Sequence, residues 1–338
     1  MKKVKVGVIG AGGLACGIHL PILASLEEAQ LVALCDWDEP RAREACRRFS
    51  IPKAYVSYLD MLKQEKLDAV FVLTQPDMLF RPVRDCLQAG LPVFMEKPMG
   101  ITLFQANTLR RLADEKDRLL HVGFNRRTIP LVEKVLQRMG ELTEITHVEG
   151  RFYKNSSASF YDGCASAFVC DVIHVIDLVR HIAGGQVETC TTLEGRRGED
   201  GCIQAWYSAI RFTNGVTGLV RANYQTGGRV HDFELHGPGA SAYLDLGFGD
   251  AGCSGRILRC GGQTHSLSAA GNAQPQVEYF DGVEIAGSQE YSHYYGYYGE
   301  DRAFLRRVQQ DPLHGDPQRT AEDFATMELV QRLQDACR

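Results

Sequence analysis

Short apolar runs alternate with amphipathic, charged segments over the first 120 residues of the chain. The apolar runs are VKVGVIG, LVALCD, AYV, DAVFVLT, PVFME and LLHVGF. Runs of this length that are apolar throughout are typical of strands buried on both faces, and the segments between them have the pattern of covering helices. The alternation predicts an α/β fold over residues 1–123, with a doubly wound parallel sheet between two layers of helices.

The rhythm changes after Phe124, where strands outnumber helices. One helix, IPLVEKVLQRMG, opens this part, and two helices, GEDRAFLRRVQQD and TAEDFATMELVQRLQDA, close it. The strand patterns between them are ITHVEGRFY, QVETCTTLEG, CIQAWYSAIRF, VTGLVRANY and VHDFELHG, with the turn signals TNG and GPG among them. We therefore expect residues 124–338 to form an α+β domain with an open, largely antiparallel sheet.

A polar stripe runs along a further helix of this part, FVCDVIHVIDLVRHIAG. At 3.6 residues per turn, Asp171, His174, Asp177 and His181 fall on one side together with Cys170. The other side is apolar and carries Val169, Val172, Val175, Ile176, Val179 and Ile182. Two acids and two imidazoles on an otherwise buried helix indicate either an internally satisfied network or the wall of a site.

Composition and charge exclude several classes of protein. The 338 residues are 44% apolar and 23% charged, with a net charge of -5, which is typical of a globular protein of about two domains. No basic block indicates nucleic-acid binding, and no apolar run reaches membrane-spanning length. The N-terminal segment MKKVKVGVIGAGG lacks the pattern of a signal peptide, so we expect a cytoplasmic protein.

The 11 cysteines are scattered and contain no CxxC pair. In the cytoplasm we expect them to be reduced thiols. Cys164, Cys170, Asp171 and His174 are residue types that can bind a metal. A free cysteine is normally a small buried apolar group, so we favour buried thiols and predict no metal site.

The first strand runs into a glycine-rich loop, GAGGLACG. Gly10, Gly12 and Ala15 form a GxGxxA pattern. The first glycine permits a tight turn, the second lets the backbone approach a pyrophosphate, and the small third residue keeps helix and strand close. Gly13 and Leu14 complete the loop, and the N–H groups at the start of the next helix suit an anion. With a buried strand before it and a helix after it, the loop predicts a Rossmann dinucleotide-binding domain.

Asp36 ends the second strand, in LVALCDWD. An acid at this position accepts hydrogen bonds from the adenosine ribose hydroxyls and repels a 2′-phosphate. The residue that follows is Trp37 and not an arginine. We therefore expect NAD(H) as the preferred cofactor, with NADP(H) as the second candidate. An acid that only caps a helix is the competing interpretation of Asp36, and Trp37 either stacks near the adenine or covers the loop.

Three further motifs carry a resemblance to a known family. They are VFMEKPMG, which holds Glu96, Lys97 and Pro98, the segment HVGFNRRTIP, and DVIHVIDLVRHIAG in the polar-striped helix. Together with the glycine loop they resemble the Gfo/Idh/MocA family, from residue 3 to about 225. The resemblance implies NAD(P)-dependent redox chemistry on the hydroxyl or ketone of a sugar, a polyol or a related molecule. It also implies a homodimer or homotetramer assembled through the second sheet.

The resemblance assigns roles to single residues. It places Lys97 near the nicotinamide and the reacting hydroxyl, Glu96 beside it, and Thr74 and Pro76 in the loop along the cofactor. His174 matches the family's site histidine and suits general acid–base catalysis. In the family an aspartate stands four residues before this histidine, but here that residue is Cys170 and the acid follows at Asp171. We expect Asp171 to orient His174, and Lys97 to stabilise the alkoxide charge.

Other residues complete the expected site. Asn125, Arg127, Tyr153 and the loop 155–164 are candidates for substrate contact. Asp177 is expected to be structural, bonded to backbone or to Arg180, and His181 to be a packing residue.

Two alternatives to a dehydrogenase remain open. Cys170, and Phe80 where the family often has a histidine, motivate a dinucleotide-binding sensor that has lost turnover. A family enzyme that uses bound NAD only transiently is the other alternative.

Overall fold

The computed structural model describes residues 2–160, 165–196, 203–247, 252–260 and 276–337. The chain divides into two compact units, each made of several segments. The first contains residues 1–124, 159–170 and 297–328, and the second contains residues 125–158, 171–296 and 329–338. Across the described residues, no helix is long and apolar enough to cross a membrane.

The first unit is built on a six-stranded parallel sheet. Its strands are β1 (Val4–Ile9), β2 (Ala29–Cys35), β3 (Lys53–Tyr55), β4 (Ala69–Val72), β5 (Val93–Glu96) and β6 (Leu120–Gly123). Their spatial order is β3-β2-β1-β4-β5-β6, the doubly wound order of a Rossmann fold. The chain reverses its winding between β1 and β4, so the carboxyl ends of these two strands form the crevice where such sheets bind dinucleotides.

Five helices connect these strands. They are α1 (Leu20–Ser25), α2 (Glu39–Arg48), α3 (Tyr58–Gln64), α4 (Phe80–Gln88) and α5 (Leu103–Lys116). Side chains cap three of them, because Asp38, Ser57 and Thr102 each accept a hydrogen bond from a main-chain N–H of the first turn. A π-helical turn, Ala15–His19, precedes α1. The predicted parallel sheet and its helical cover are confirmed.

The remaining strands belong to two sheets. They are β7 (His147–Asn155), β8 (Ser159–Phe160), β9 (Ala165–Ser166), β10 (Val187–Arg196), β11 (Ile203–Phe212), β12 (Thr217–Asn223), β13 (Gln225–Gly237), β14 (Ala240–Asp245), β15 (Ser254–Arg259) and β16 (Gln276–Asp281). Strands β8 and β9 pair with each other within the first unit. The others form an eight-stranded sheet of order β10-β11-β12-β7-β13-β14-β15-β16. Its pairings are antiparallel except between β12 and β7, which confirms the predicted largely antiparallel sheet.

Two long helices and two short ones accompany this sheet: α6 (Pro130–Leu142), α7 (Ile173–Ala183), α8 (Gly282–Ala286) and α9 (Tyr291–Tyr294). A π-helical turn, Phe168–Val172, leads into α7. Helix α7 packs closely on the sheet at two glycines. A Cβ added at Gly150 would lie 2.4 Å from Val175, and one at Gly218 would lie 3.0 Å from Val179. The apolar side of the predicted polar-striped helix therefore faces the sheet.

The two closing helices are α10 (Tyr297–Gln310) and α11 (Pro317–Asp335). Their existence was predicted, but the predicted boundary after residue 123 placed both in the second domain. The structure instead assigns residues 297–328 to the first unit. The reason is packing, since the Phe304 ring of α10 lies 5.2 Å from the Phe71 ring and 5.7 Å from the Phe94 ring.

Candidate functional site

The glycine loop has a conformation that its first glycine alone permits. Gly10 has a φ of 104°, and a Cβ added there would lie 2.8 Å from the carbonyl oxygen of Leu73. At Gly12 and Gly13 an added Cβ meets no atom within 4 Å. Gly10 is therefore required by the fold, whereas Gly12 and Gly13 leave open space beside the loop. Ala15 is fully buried, as expected for a small residue between helix and strand.

Asp36 is buried and bonded to the main chain at both oxygens. Its Oδ2 accepts from Ala11 N at 2.8 Å and its Oδ1 accepts from Asp38 N at 2.9 Å. The carboxylate thus ties the end of β2 to the glycine loop. The sequence interpretation overlooked Arg41, whose Nη1 lies 3.7 Å from Asp36 Oδ1. The position of Arg41 could have indicated this contact, because it lies in the first turn of α2, four residues after Trp37.

A cleft of about 780 Å³ follows the carboxyl ends of β1, β2, β4 and β5. Its lining includes Gly10, Gly12, Gly13, Leu14, Asp36, Trp37, Arg41, Thr74, Pro76, Glu96 and Lys97. All the residues predicted to bind the cofactor are among them except the buried Ala15. Trp37 is 74% exposed, and the Arg41 guanidinium lies 5.9 Å from its ring centre. The buried hydroxyl of Thr74 has no hydrogen-bond partner among the described residues, which fits a cleft whose polar contacts are completed by a ligand.

Lys97 follows the last residue of β5, and both its main chain and its side chain form hydrogen bonds. Its main-chain N–H donates to Glu96 Oε2 at 3.2 Å, and its ammonium donates to the carbonyl oxygen of Cys170 at 2.8 Å. The Cys170 side chain itself is buried. At the position where the family has an aspartate, this chain therefore presents a main-chain carbonyl to Lys97.

In the second unit His174 lies on α7, nearly buried, with Arg126 beside it. Arg126 Nη1 is 2.9 Å from both ring nitrogens of His174. The same nitrogen donates to Asn125 Oδ1 at 2.8 Å, and the guanidinium lies 5.3 Å from the ring centre of Tyr295. A guanidinium can only donate, so this contact favours an imidazole nitrogen with a free lone pair. The sequence did not indicate this contact between Arg126 and His174.

Asp171 has two partners that the sequence did not suggest. It forms an ion pair with Lys154 and accepts a hydrogen bond from the Tyr224 hydroxyl at 2.6 Å. The Lys154 ammonium also lies 4.8 Å from the centre of the Tyr224 ring. The signal for Lys154 was strand alternation, because it shares a face of β7 with the buried Phe152. The orientation of His174 by Asp171 stays a prediction.

The candidate substrate residues of the second unit each have a defined partner. Arg127 forms a buried two-point ion pair with Asp177, so Asp177 binds this arginine where backbone or Arg180 had been expected. Asn125 is buried and donates to Tyr295 O at 2.8 Å. Tyr153 interacts with Arg221, on the face of β7 opposite Lys154, because successive strand residues point to opposite faces. The role of Tyr153 in substrate contact stays a prediction.

His181, possible metal ligands and the loop 155–164 were the other parts of the expected site. His181 is exposed, so its assignment as a packing residue is wrong. Among the described residues, no group of three or more His, Cys, Asp or Glu side chains could hold a metal. Cys164 and residues 161–163 of the candidate substrate loop lie outside the described residues.

Residues 4–124 match a family model, GFO_IDH_MocA, described as an oxidoreductase family with an NAD-binding Rossmann fold. A putative oxidoreductase, YceM, of Salmonella typhimurium is 30% identical over 201 residues, which are 59% of this chain and 63% of that protein. The match therefore spans less than two thirds of that relative. Myo-inositol 2-dehydrogenase of Thermotoga maritima is 26% identical over 69% of this chain and 74% of its own.

The fold of the whole chain has a counterpart among solved structures. A dehydrogenase from Chromobacterium violaceum superposes with a TM-score of 0.84 at 22% identity, covering 100% of this chain and 96% of that one. At this identity the likeness concerns the fold, which agrees with the predicted class in both units. The matched N-terminal residues contain the glycine loop, Asp36 and Lys97, and over these residues the chain is similar to the Gfo/Idh/MocA family of oxidoreductases.

Proposed function

We propose that this chain is an NAD(P)-dependent dehydrogenase or reductase acting on a secondary hydroxyl or ketone of a sugar, a polyol or a related small molecule. One observation carries the proposal. A single cleft collects the glycine loop, Asp36, Thr74 and Lys97, which are the groups required for a dinucleotide and for a reacting hydroxyl at its end. The relatedness to a myo-inositol dehydrogenase supports the substrate class.

The cleft residues would hold the cofactor in a defined order. The open space at Gly12 and Gly13 suits the pyrophosphate, and the carboxylate of Asp36 suits the ribose hydroxyls. We propose NAD(H) as the preferred cofactor. Arg41 supports NADP(H) as the second candidate, because it brings a cation within 3.7 Å of that carboxylate. When bound, the nicotinamide accepts or supplies the hydride.

Three side chains are our candidates for the chemistry. During oxidation His174 takes the proton of the substrate hydroxyl and returns it in reduction, and the positive charge of Arg126 beside it favours the neutral imidazole that a general base requires. Lys97 stabilises the alkoxide through its ammonium. Asp171 contributes through the network that it forms with Lys154 and Tyr224.

The first test separates binding from turnover. Purified protein is titrated calorimetrically with NAD(+), NADH, NADP(+) and NADPH, and myo-inositol oxidation is then followed by nicotinamide absorbance, together with other inositols and hexoses. We expect tighter binding of NAD(H), weakened by Asp36→Ala. Absence of binding to all four dinucleotides would overturn the proposal, and tighter binding of NADP(H) would overturn the assigned preference.

The second test addresses the assigned roles. Lys97→Ala and His174→Ala should each lower kcat about 100-fold or more, the scale of lost electrostatic or acid–base catalysis. The controls are Lys63→Ala in α3 and His181→Ala in α7, both exposed, and we expect them to stay within about twofold of wild type. Full activity in the Lys97 or His174 variant would contradict its role.

A dinucleotide-binding protein without turnover is the alternative. Cys170 motivated it, since the family's aspartate is missing there. The structure gives the Lys97 ammonium an acceptor from the main chain at the same residue, which favours the enzyme. Dinucleotide binding without turnover of any polyol or keto-sugar in the panel would favour the alternative. A retained cofactor with a changed substrate and no net NADH would indicate a transient hydride step.

The oligomeric state is a further part of the proposal. We propose a homodimer or homotetramer assembled through the eight-stranded sheet. Light scattering of purified protein distinguishes this assembly from a monomer.

A further inference from the structure

His19 is a fully buried histidine to which the proposed chemistry assigns no role. It ends the π-helical turn that follows the glycine loop. Its Nδ1 lies 3.0 Å from both carboxylate oxygens of Asp301 in α10, and its Nε2 lies 3.1 Å from Glu96 Oε1 at the end of β5. One imidazole therefore joins the glycine-loop turn, a helix and the strand that carries the candidate lysine.

The two contacts define the protonation state of this ring. An ionised carboxylate can only accept hydrogen bonds, so both ring nitrogens must donate and the ring is an imidazolium. Burial opposes the charge, but the charges and hydrogen bonds of Asp301 and Glu96 outweigh it and raise the pKa of His19 to about 10. Near neutral pH the ring keeps both protons, so its role is one of geometry and not of proton transfer.

Glu96 links His19 to Lys97 through its two carboxylate oxygens. Its carboxylate is buried and uses one oxygen for each neighbour, with Oε1 at His19 and Oε2 accepting the Lys97 main-chain N–H at 3.2 Å. The adjoining strand leaves room for it at Gly123, where an added Cβ would lie 3.2 Å from Oε1. The carboxylate has little freedom to move, and the main chain of Lys97 is bonded directly to it.

We propose that His19 is a positioning residue, which holds Glu96 so that the main chain of Lys97 directs the lysine ammonium into the cleft. The importance of this geometry for turnover rests on the proposed function. The geometry itself can be tested without any substrate.

Two substitutions separate the two contacts. A glutamine amide nitrogen takes approximately the place of Nε2, and an asparagine amide nitrogen that of Nδ1. His19→Gln therefore keeps a donor for Glu96 and loses the one for Asp301, whereas His19→Asn does the reverse. Both variants lose the same charge and one of the two contacts, so each is the matched control of the other.

The primary measurement is hydrogen exchange at the Lys97 main-chain amide, resolved to single residues, with the amides of β1 as the reference for global opening. We expect exchange at Lys97 to be about tenfold or more faster in His19→Asn than in His19→Gln, since its acceptor is no longer held. Equal exchange in the two variants overturns the proposal. If neither variant folds, Glu96→Gln replaces them. Glutamine has a single acceptor oxygen, which cannot accept from both His19 Nε2 and the Lys97 main-chain N–H in the original geometry. Unchanged exchange at Lys97 in that variant overturns the proposal as well.

The second measurement is turnover of myo-inositol, or of the panel compound that wild-type protein oxidises. We expect kcat to be about tenfold lower in His19→Asn than in His19→Gln, with similar KM values, because misplacement of a reacting group affects mainly the chemical step. Equal kcat values overturn the link to catalysis. If wild-type protein oxidises no compound, the proposed function fails, and the exchange experiment still decides whether His19 positions Lys97.

Discussion

Replacing Gly10 and Gly12 by alanine should separate folding from cofactor binding. At Gly10 the φ of 104° is one that residues with a side chain rarely adopt, and the new Cβ would lie 2.8 Å from Leu73 O and 2.9 Å from Leu73 C. Those atoms belong to the main chain next to β4 and cannot rotate away. Backbone strain of this kind costs about 1–3 kcal/mol, and the clash adds to it. We expect Gly10→Ala to lower the free energy of unfolding by at least about 2 kcal/mol.

Gly12→Ala is the matched control, because its Cβ meets no atom within 4 Å. Its free energy of unfolding should stay within about 0.5 kcal/mol of wild type. The methyl group would stand where the loop must approach the pyrophosphate, so NAD(H) affinity should fall about tenfold or more. Urea denaturation and calorimetric titration measure the two effects. Equal stability of the two variants, or unchanged affinity in Gly12→Ala, would refute this account of the loop.

Two further predictions concern buried charges. Asp177→Ala leaves the buried Arg127 guanidinium without its carboxylate, so the free energy of unfolding should fall by about 3–5 kcal/mol in urea denaturation. The double change Arg127→Met with Asp177→Leu should recover most of that loss, and a single-variant loss under about 1 kcal/mol would contradict the reasoning. The second prediction follows from the pKa of His19, which rises from 6.5 to about 10 on folding. Between these two pH values the folded chain keeps a proton that the unfolded chain releases. The contribution of His19 to the free energy of unfolding is therefore fully present below pH 6.5 and is lost as pH rises toward 10. The slope should reach about 1.4 kcal/mol per pH unit and disappear in His19→Gln, and equal slopes in the two proteins would show that His19 is not the titrating group.

The elements of the fold were largely predictable, because an element that is buried on one or two faces has apolar residues at a characteristic spacing or in a continuous run. The six parallel strands and the long strands of the second sheet show these patterns. Strands β14, β15 and β16 were not predicted, since each contains only two or three large apolar residues among small, polar or charged ones. The period of α10 indicates a buried face but not its partner, so its packing against Phe71 and Phe94 could not be predicted.

The site could be predicted where a motif fixes the main-chain geometry. It was less predictable where a side chain contacts residues that are distant in the sequence. The glycine loop, Asp36 and Lys97 line one cleft as expected. The expected place of Asp171 relied on α-helical spacing, but residues 168–172 form a π-helical turn, where that spacing does not apply. Its partner Lys154 lies 17 positions away in the sequence. Contacts of this kind depend on the pairing of strands and helices, which the sequence pattern does not specify.

The discontinuous make-up of the first unit has a consequence for synthesis on the ribosome. The strands of its sheet are complete once Gly123 has been made, but Asp301, which binds His19, is made only 178 residues after Gly123. At translation rates of about 5–20 residues per second, this delay is on the order of tens of seconds. Throughout it the buried imidazole lacks one of its two carboxylates, and the aromatic surface that Phe304 covers is open to solvent. We therefore expect a fragment that ends near residue 123 to aggregate when it is expressed alone, because this aromatic surface stays uncovered.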